Sequence, residues 1–107
     1  GMVIDRDTLR PVLGNGGGGL SGRAIHPVAV RSVYDVHQAL QDLPIVGVGG
    51  VSTGWEAAEL MIAGAHAVQV GTASFADPRA CSRVAAELVE FAAQREIPRM
   101  ADLSALT

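Results

Sequence analysis

The sequence predicts an α/β fold with parallel strands: a partial TIM (β/α)8 barrel of about two βα units, preceded by a hairpin, a glycine-rich loop and a helix. Three observations carry this prediction. Pro44-Ile45-Val46-Gly47-Val48 and Ala67-Val68-Gln69-Val70 are short runs without the polar alternation of a half-solvated strand, apart from Gln69. Each run leads into glycine and then into helical periodicity. The strand-plus-helix unit takes about 25 residues, close to one eighth of a roughly 250-residue barrel. The chain has 107 residues, one small domain's worth, and two parallel strands do not make an independent sheet with both faces covered. Residues 1–107 therefore read as a single, incomplete domain. It would be completed by a remaining barrel segment or by other copies of itself, and a homo-oligomer is expected because uncovered parallel edges invite pairing.

The elements follow in order. Met2–Leu13 alternates weakly around Asp5-Arg6-Asp7 and reads as a short hairpin with an acidic turn. Residues 14–22, Gly-Asn-Gly-Gly-Gly-Gly-Leu-Ser-Gly, form a loop, because ordering glycine costs the most backbone entropy. Pro27 suits the first position of a helix. Ala29, Val33, Val36 and Leu40 then fall on one face, with Arg31, Asp35 and Gln38 opposite, and Arg31/Asp35 make an ordinary surface pair. Asp42-Leu43-Pro44 ends this helix. After the first strand, Thr53 and Glu56 have the spacing of a capping box. They open a helix from about Gly54 to Ala63, with Ala57, Leu60 and Met61 inward and Gly64 as its C′ residue. After the second strand, Asp77-Pro78 reads as an N-cap followed by proline at N1. The last helix then runs to about Arg95 with Val84, Leu88, Phe91 and Ala92 on its apolar face, and Met100–Thr107 is a tail.

Composition excludes several function classes. Hydrophobic residues make up 49% of the chain and charged residues 18%, too apolar for a disordered segment. A net charge of -3 gives no basic face for nucleic acid. One cysteine excludes a disulfide framework and a multi-cysteine metal site. All eight basic residues are arginine, which excludes a Schiff-base lysine and a P-loop lysine. No apolar stretch reaches the roughly 18 residues needed to span a bilayer, and no secretory signal is evident. The expectation is a cytoplasmic protein with no membrane and no nucleic-acid partner.

The chemistry sits in two glycine clusters, Gly47-Val48-Gly49-Gly50-Val51-Ser52 and Val70-Gly71-Thr72, directly after the two strands. At the strand ends of a parallel barrel, glycines let backbone N–H groups approach an anion, and an adjacent helix N-terminus adds partial positive charge. Either cluster alone is commonly a tight turn. The pair at successive strand ends points to a phosphate site, with Thr72 able to add a hydroxyl donor. A dinucleotide fingerprint fits less well, because Ser52 stands where its third glycine belongs.

LGNGGGGLSGRAIHPVAV (Leu13–Val30), PIVGVGGV (Pro44–Val51) and IAGAHAVQVGTASF (Ile62–Phe75), taken in order, resemble the C-terminal part of a dihydroorotate dehydrogenase. The Gly-Gly-Leu-Ser-Gly form is closer to class 1B than to class 1A. The resemblance implies an FMN-dependent barrel that oxidises dihydroorotate to orotate in pyrimidine synthesis. By resemblance, Gly22 approaches the flavin and Gly49, Gly50, Gly71 and Thr72 hold the FMN phosphate. Val51, Ser52 and Ala73 are further backbone donors. The family's catalytic cysteine and flavin-side lysine lie on earlier barrel loops, and its pyrimidine-binding Asn-Thr pair just before the position of Gly1. No catalytic residue is therefore assigned here, and the chain alone is expected to be inactive. Class 1B also implies an iron–sulfur flavoprotein subunit and NAD as acceptor. The alternatives are the related flavin domain of a dihydropyrimidine dehydrogenase and a standalone oligomeric phosphate-binding module without catalysis.

Other residues have blander readings. Cys81, early in the last helix with no histidine near it in sequence, reads as a small buried or half-buried residue. Trp55 packs against a neighbouring element more readily than it reaches a ligand. His37 and His66 are structural or solvated. His26 stands before Pro27, where the family often has lysine or arginine, and a surface or phosphate-proximal role is the lesser reading for it.

Overall fold

A computed structural model describes residues 1–106. A 3-10 turn (Arg23–Ile25) leads into α1 (His26–Ala39). Then come β1 (Val46–Val48), α2 (Gly54–Ala63), β2 (Ala67–Gln69), a short α3 (Ala73–Ala76), α4 (Ala80–Gln94) and a 3-10 helix (Met100–Leu106). β1 and β2 pair in parallel, Val46 with Ala67, Gly47 with Val68 and Val48 with Gln69. α2 connects them, so β1–α2–β2 is one βαβ unit with α1 and α4 packed on α2. The α/β class and the order of the main elements match the sequence reading. Among the described residues, no helix is long and apolar enough to cross a membrane.

α2 is the centre of the core. Its capping box is complete: Thr53 Oγ1 accepts from the Glu56 N–H, and the Glu56 carboxylate accepts from the Thr53 N–H. Gly64 closes its far end, donating to Leu60 and Met61 carbonyls. Ala57, Ala58 and Leu60 are wholly buried, and Leu60 packs with Ala29, Val33, Val51, Ala63, Ala65 and Val84. This layer lies on one side of the sheet only. Gly47 is buried against α2, whereas Val46 and Val48 on the opposite face are 54% and 53% exposed. The expectation that β1 is covered on both faces is thus not met within this chain. The accessible surface, 7254 Å², exceeds the roughly 5600 Å² of a compact folded monomer of 11.0 kDa.

Local boundaries differ from the sequence reading for identifiable reasons. The N-terminal arm doubles back, with Val12 N–H on the Val3 carbonyl and Asp5 N–H on the Arg10 carbonyl, but the only bridge is Ile4 with Pro11. The chain turns tightly just before it, with Leu9 at φ 57° donating to the Asp5 carbonyl, and the pairing does not extend into strands. Asp5 does make the turn, accepting from the Asp7 and Thr8 N–H groups. In α1, Ala29 and Val33 are buried, but Val36 and the C-cap residue Leu40, expected on the same inward face, are exposed. α4 starts at Ala80: Asp77 accepts from the Arg79 N–H in a turn that precedes the helix, after the unforeseen α3. The expected tail instead forms the last 3-10 helix, which packs on α2 with Leu103 fully buried. Thr107 lies outside the described residues.

Leu60→Ala removes a fully buried side chain and is expected to cost about 2–5 kcal/mol. Val48→Ala, on the uncovered face, is expected to cost less than about 1 kcal/mol in this chain. Urea unfolding of the two variants measures the difference, and equal losses would refute the one-sided core.

Candidate functional site

The parallel pairing of β1 and β2 sets their C-terminal ends side by side, because Val48 is the register partner of Gln69. The segments that leave these ends, Gly49–Thr53 and Gly71–Ala73, form two walls of a cavity of about 630 Å³. The third wall is Ser21-Gly22-Arg23, and Asp77 and Arg83 close the rim. Gly22, Gly49, Gly50, Gly71 and Thr72 all line this cavity, with Val51, Ser52 and Ala73 beside them. Residues up to 62 positions apart in sequence, Ser21 and Arg83, are thus brought together.

The glycines have different local reasons. Gly49 and Gly50 have φ of 136° and 68°, which a side chain rarely adopts. A Cβ on Gly49 would lie 2.6 Å from the Ala29 Cβ, and one on Gly50 would lie 2.7 Å from the Gly22 carbonyl oxygen. The chain's own packing therefore demands glycine at both positions. Gly71 is different: a Cβ there would meet nothing within 4 Å, and its φ is not in the left-handed region. Nothing among the described residues requires glycine at 71, a residue of the cavity lining, where a Cβ would meet open space.

The N-terminus of α2 does not serve this cavity. Glu56 Oε2 accepts from the Ser52 N–H (2.7 Å), the Ser52 hydroxyl (2.7 Å) and the Thr53 N–H (3.1 Å). Glu87, reaching across from α4, accepts from the Gly54 N–H at 2.7 Å. Two carboxylates of the chain itself thus complement the positive end of the helix. Ser52, expected as a backbone donor to an anion, is turned to Glu56 instead. Gly49, Gly50, Gly71 and Thr72 remain on the cavity lining.

Electrostatics at the rim are internally balanced. Arg23 bonds Glu56 at 3.2 Å, while Arg83 bonds Asp77 at 3.1 Å and Glu87 at 2.9 Å. Burial pushes the Glu56 carboxyl up, but the Ser52 hydroxyl and N–H and the Arg23 charge outweigh it, and its pKa falls below the ordinary value. The Glu87 carboxyl is lowered by the Gly54 N–H and then by Arg83, and the Asp77 carboxyl by the Arg79 N–H and then by Arg83. The sequence reading did not single out Arg23, Glu56's second role or Arg83. Only Thr53/Glu56 had a local signature; the others depend on α4 and the glycine loop folding back.

The remaining suspects separate cleanly. Trp55 lies 5.5 Å from the Phe91 ring and half exposed, a packing contact away from the cavity. Cys81 is exposed rather than buried, with Sγ 4.0 Å from the Val70 carbonyl oxygen. His66 accepts from the Ile45 N–H, and His37 packs over Gly64. His26 is neither a surface residue nor a wall of the cavity: it is buried, with Nδ1 2.8 Å from the Gly49 carbonyl oxygen.

A family model described as dihydroorotate dehydrogenase matches residues 1–92. The chain belongs to the dihydroorotate dehydrogenase family. It is 52% identical over 103 residues to the protein named dihydroorotate dehydrogenase B (NAD(+)), catalytic subunit, of Geobacter sp. (strain M21), covering 96% of this chain and 33% of that protein. It is 51% identical over 102 residues to the putative dihydroorotate dehydrogenase A (fumarate) of Solibacter usitatus, covering 95% and 33%. The B-class names agree with the class 1B resemblance of the Gly-Gly-Leu-Ser-Gly segment, and the A-class relative is nearly as similar. Among solved structures, the DHODH of Eimeria tenella in complex with ferulenol superposes with a TM-score of 0.80 at 31% identity, over 99% of this chain and 29% of that one. The chain spans about a third of the length of the relatives it matches.

The depressed Glu56 pKa has a defined sign. The group stabilises the fold fully above the ordinary glutamate value of 4.5, and this contribution is lost as pH falls through the lower folded-state value. Glu56→Gln is therefore expected to be less stable than the parent at pH 7 and to show a smaller further loss between pH 5 and pH 3. Urea midpoints at several pH values measure both effects, and parallel pH profiles would contradict the assignment.

Proposed function

We propose that this chain is the C-terminal, FMN-phosphate-holding part of a (β/α)8-barrel dihydroorotate dehydrogenase that oxidises dihydroorotate to orotate. The single observation that carries the proposal is the convergence of Gly22, Gly49, Gly50, Gly71 and Thr72 on one cavity at the C-terminal ends of two parallel strands. That position is the functional rim of a parallel barrel, where successive strand-end loops hold phosphate. The cavity volume falls within the range of small-molecule sites. Gly71, whose Cβ would enter open space, fits a phosphate group that needs close backbone approach.

FMN, when bound, supplies the hydride acceptor for the oxidation. The work of these residues is positional. Peptide N–H groups of the two glycine segments and the Thr72 hydroxyl hold the phosphate, and Gly22 leaves room for the cofactor beside it. Fixing the tail of the cofactor reduces the freedom that must be lost before its ring meets the substrate. The rim arginines are already matched to carboxylates, so the site recognises its anion mainly by directed peptide groups.

The uncovered face of the sheet supports the barrel reading. Val46, Val48 and Gln69 point away from the helical layer, towards where a closed barrel has its interior. The base, the flavin-side lysine and the pyrimidine-binding residues would come from the rest of such a barrel. The Gly-Gly-Leu-Ser-Gly segment and the B-class relatives favour class 1B, with an iron–sulfur flavoprotein partner and NAD as acceptor. In isolation, these 107 residues would bury the exposed apolar face by self-association.

Gly71→Val, in the full-length protein, is expected to change stability by less than about 0.5 kcal/mol while weakening FMN binding by about tenfold or more. Flavin fluorescence titration and thermal melts measure the two quantities. Unchanged FMN affinity would refute the phosphate assignment. The 107-residue chain by itself is expected to scatter light as an oligomer above 11.0 kDa and to form no orotate from dihydroorotate with an artificial acceptor. A monomer, or measurable turnover, would count against this reading.

A further inference from the structure

His26 is buried at the first turn of α1, and its ring is turned back onto the loop after β1. Nδ1 lies 2.8 Å from the Gly49 carbonyl oxygen. A carbonyl only accepts, so the contact places the proton on Nδ1. The other ring nitrogen, Nε2, has no hydrogen-bond partner among the described residues, and Glu59 Oε1 lies 3.7 Å from it. A buried ring nitrogen left without a bond costs stability. An apolar side chain of the same size would fill this space without that cost, so packing alone does not account for an imidazole here. What the imidazole supplies is the Nδ1–H bond.

That bond fixes a peptide plane. The chain has no cis peptide among the described residues, and in a trans peptide the carbonyl and the following N–H point in opposite directions. Holding the Gly49 carbonyl towards α1 therefore turns the Gly50 N–H away from α1. Gly49 and Gly50 adopt φ values open to glycine's wide range, so without a tether their shared peptide has alternatives available. The surrounding packing narrows these but does not choose a direction for the dipole: Ala29 and Ile25 crowd Gly49, and the His26 Cβ and the Gly22 carbonyl crowd Gly50.

We propose that His26 is a positioning residue of the phosphate site: its Nδ1–H holds the Gly49 carbonyl so that the Gly50 N–H is presented to the anion. The inference rests on the phosphate reading above. His26 itself touches neither phosphate nor substrate, and it acts through one peptide group.

The test uses the full-length protein and compares FMN with riboflavin, which lacks the phosphate. His26→Leu keeps bulk without the donor, whereas the amide nitrogen of His26→Asn stands as many bonds from Cα as Nδ1 does. The preference for FMN over riboflavin is expected to fall by about tenfold in His26→Leu and to return to within about threefold of the parent in His26→Asn. Loss of packing alone would weaken both ligands together and leave the ratio unchanged. Should His26→Leu fail to fold, His26→Ala takes its place. A parental ratio in the donor-free variant, or His26→Asn no better than that variant, would overturn the role of His26 alone. A parent protein that binds FMN no better than riboflavin would overturn the phosphate reading itself, and this inference with it.

Discussion

The Glu56 carboxylate joins three segments that sequence keeps apart. Through Ser52 and Thr53 it closes the loop after β1, through its place in the first turn it starts α2, and through Arg23 it draws in the end of the glycine loop. Burying a carboxylate is costly unless its oxygens are matched, and here donors reach both of them. The cavity walls formed by residues 21–23 and 48–53 depend on this arrangement. Without it, the glycine loop would have little apolar surface with which to fix itself beside the strands.

In the proposed site, the same carboxylate would decide where an anion binds. A helix N-terminus next to a glycine loop is an inviting phosphate site on general grounds, and here that invitation is taken up by Glu56 and Glu87. The negative charge at the end of α2 stabilises the helix and keeps a ligand off it. In our proposal, recognition moves onto the peptides of the glycine segments. These are fixed in turn by packing at Gly49 and Gly50 and, in our proposal, by one imidazole. A site built this way depends on the directions of individual peptide dipoles more than on net charge, in keeping with a chain whose overall charge is -3.

What the sequence made legible was local. The capping box at Thr53/Glu56, Gly64 at the end of α2, the inward face Ala57/Leu60/Met61 and four of the cavity residues, Gly49, Gly50, Gly71 and Thr72, follow from spacing within a few positions or from glycine placed after an apolar run, whereas Gly22 comes only from the family resemblance. What it hid was long-range. Glu87 caps Gly54 from 33 residues away, His26 is buried only because the β1 loop lies over it, and Cys81 is exposed. The start of α4 shifted for a similar reason. Asp77-Pro78 has the composition of a helix start, but α3 occupies the preceding turn, and Asp77 became the hinge between two helices.

The apolar composition is explained by where the apolar residues lie. A chain that buried its hydrophobic residues efficiently would have less surface than this one. Exposed apolar side chains lie on the face of β1 and β2 opposite the helices, on the N-terminal arm and at Phe75, which is 94% exposed beyond the cavity, and also on the helices at Val28, Trp55 and Val89. In a one-sided βαβ layer, the strand face is left without a covering layer. The candidate site lies at the border between the helical layer and that face, with its glycine walls built and the side nearest the strand interior open. In the proposed barrel, the surface that covers Val46 and Val48 would be continuous with the surface that covers the cofactor's ring. Completing the core and completing the site would then be one structural event, and in that barrel the cofactor's phosphate end would be held by residues that do not themselves supply the chemistry at its other end.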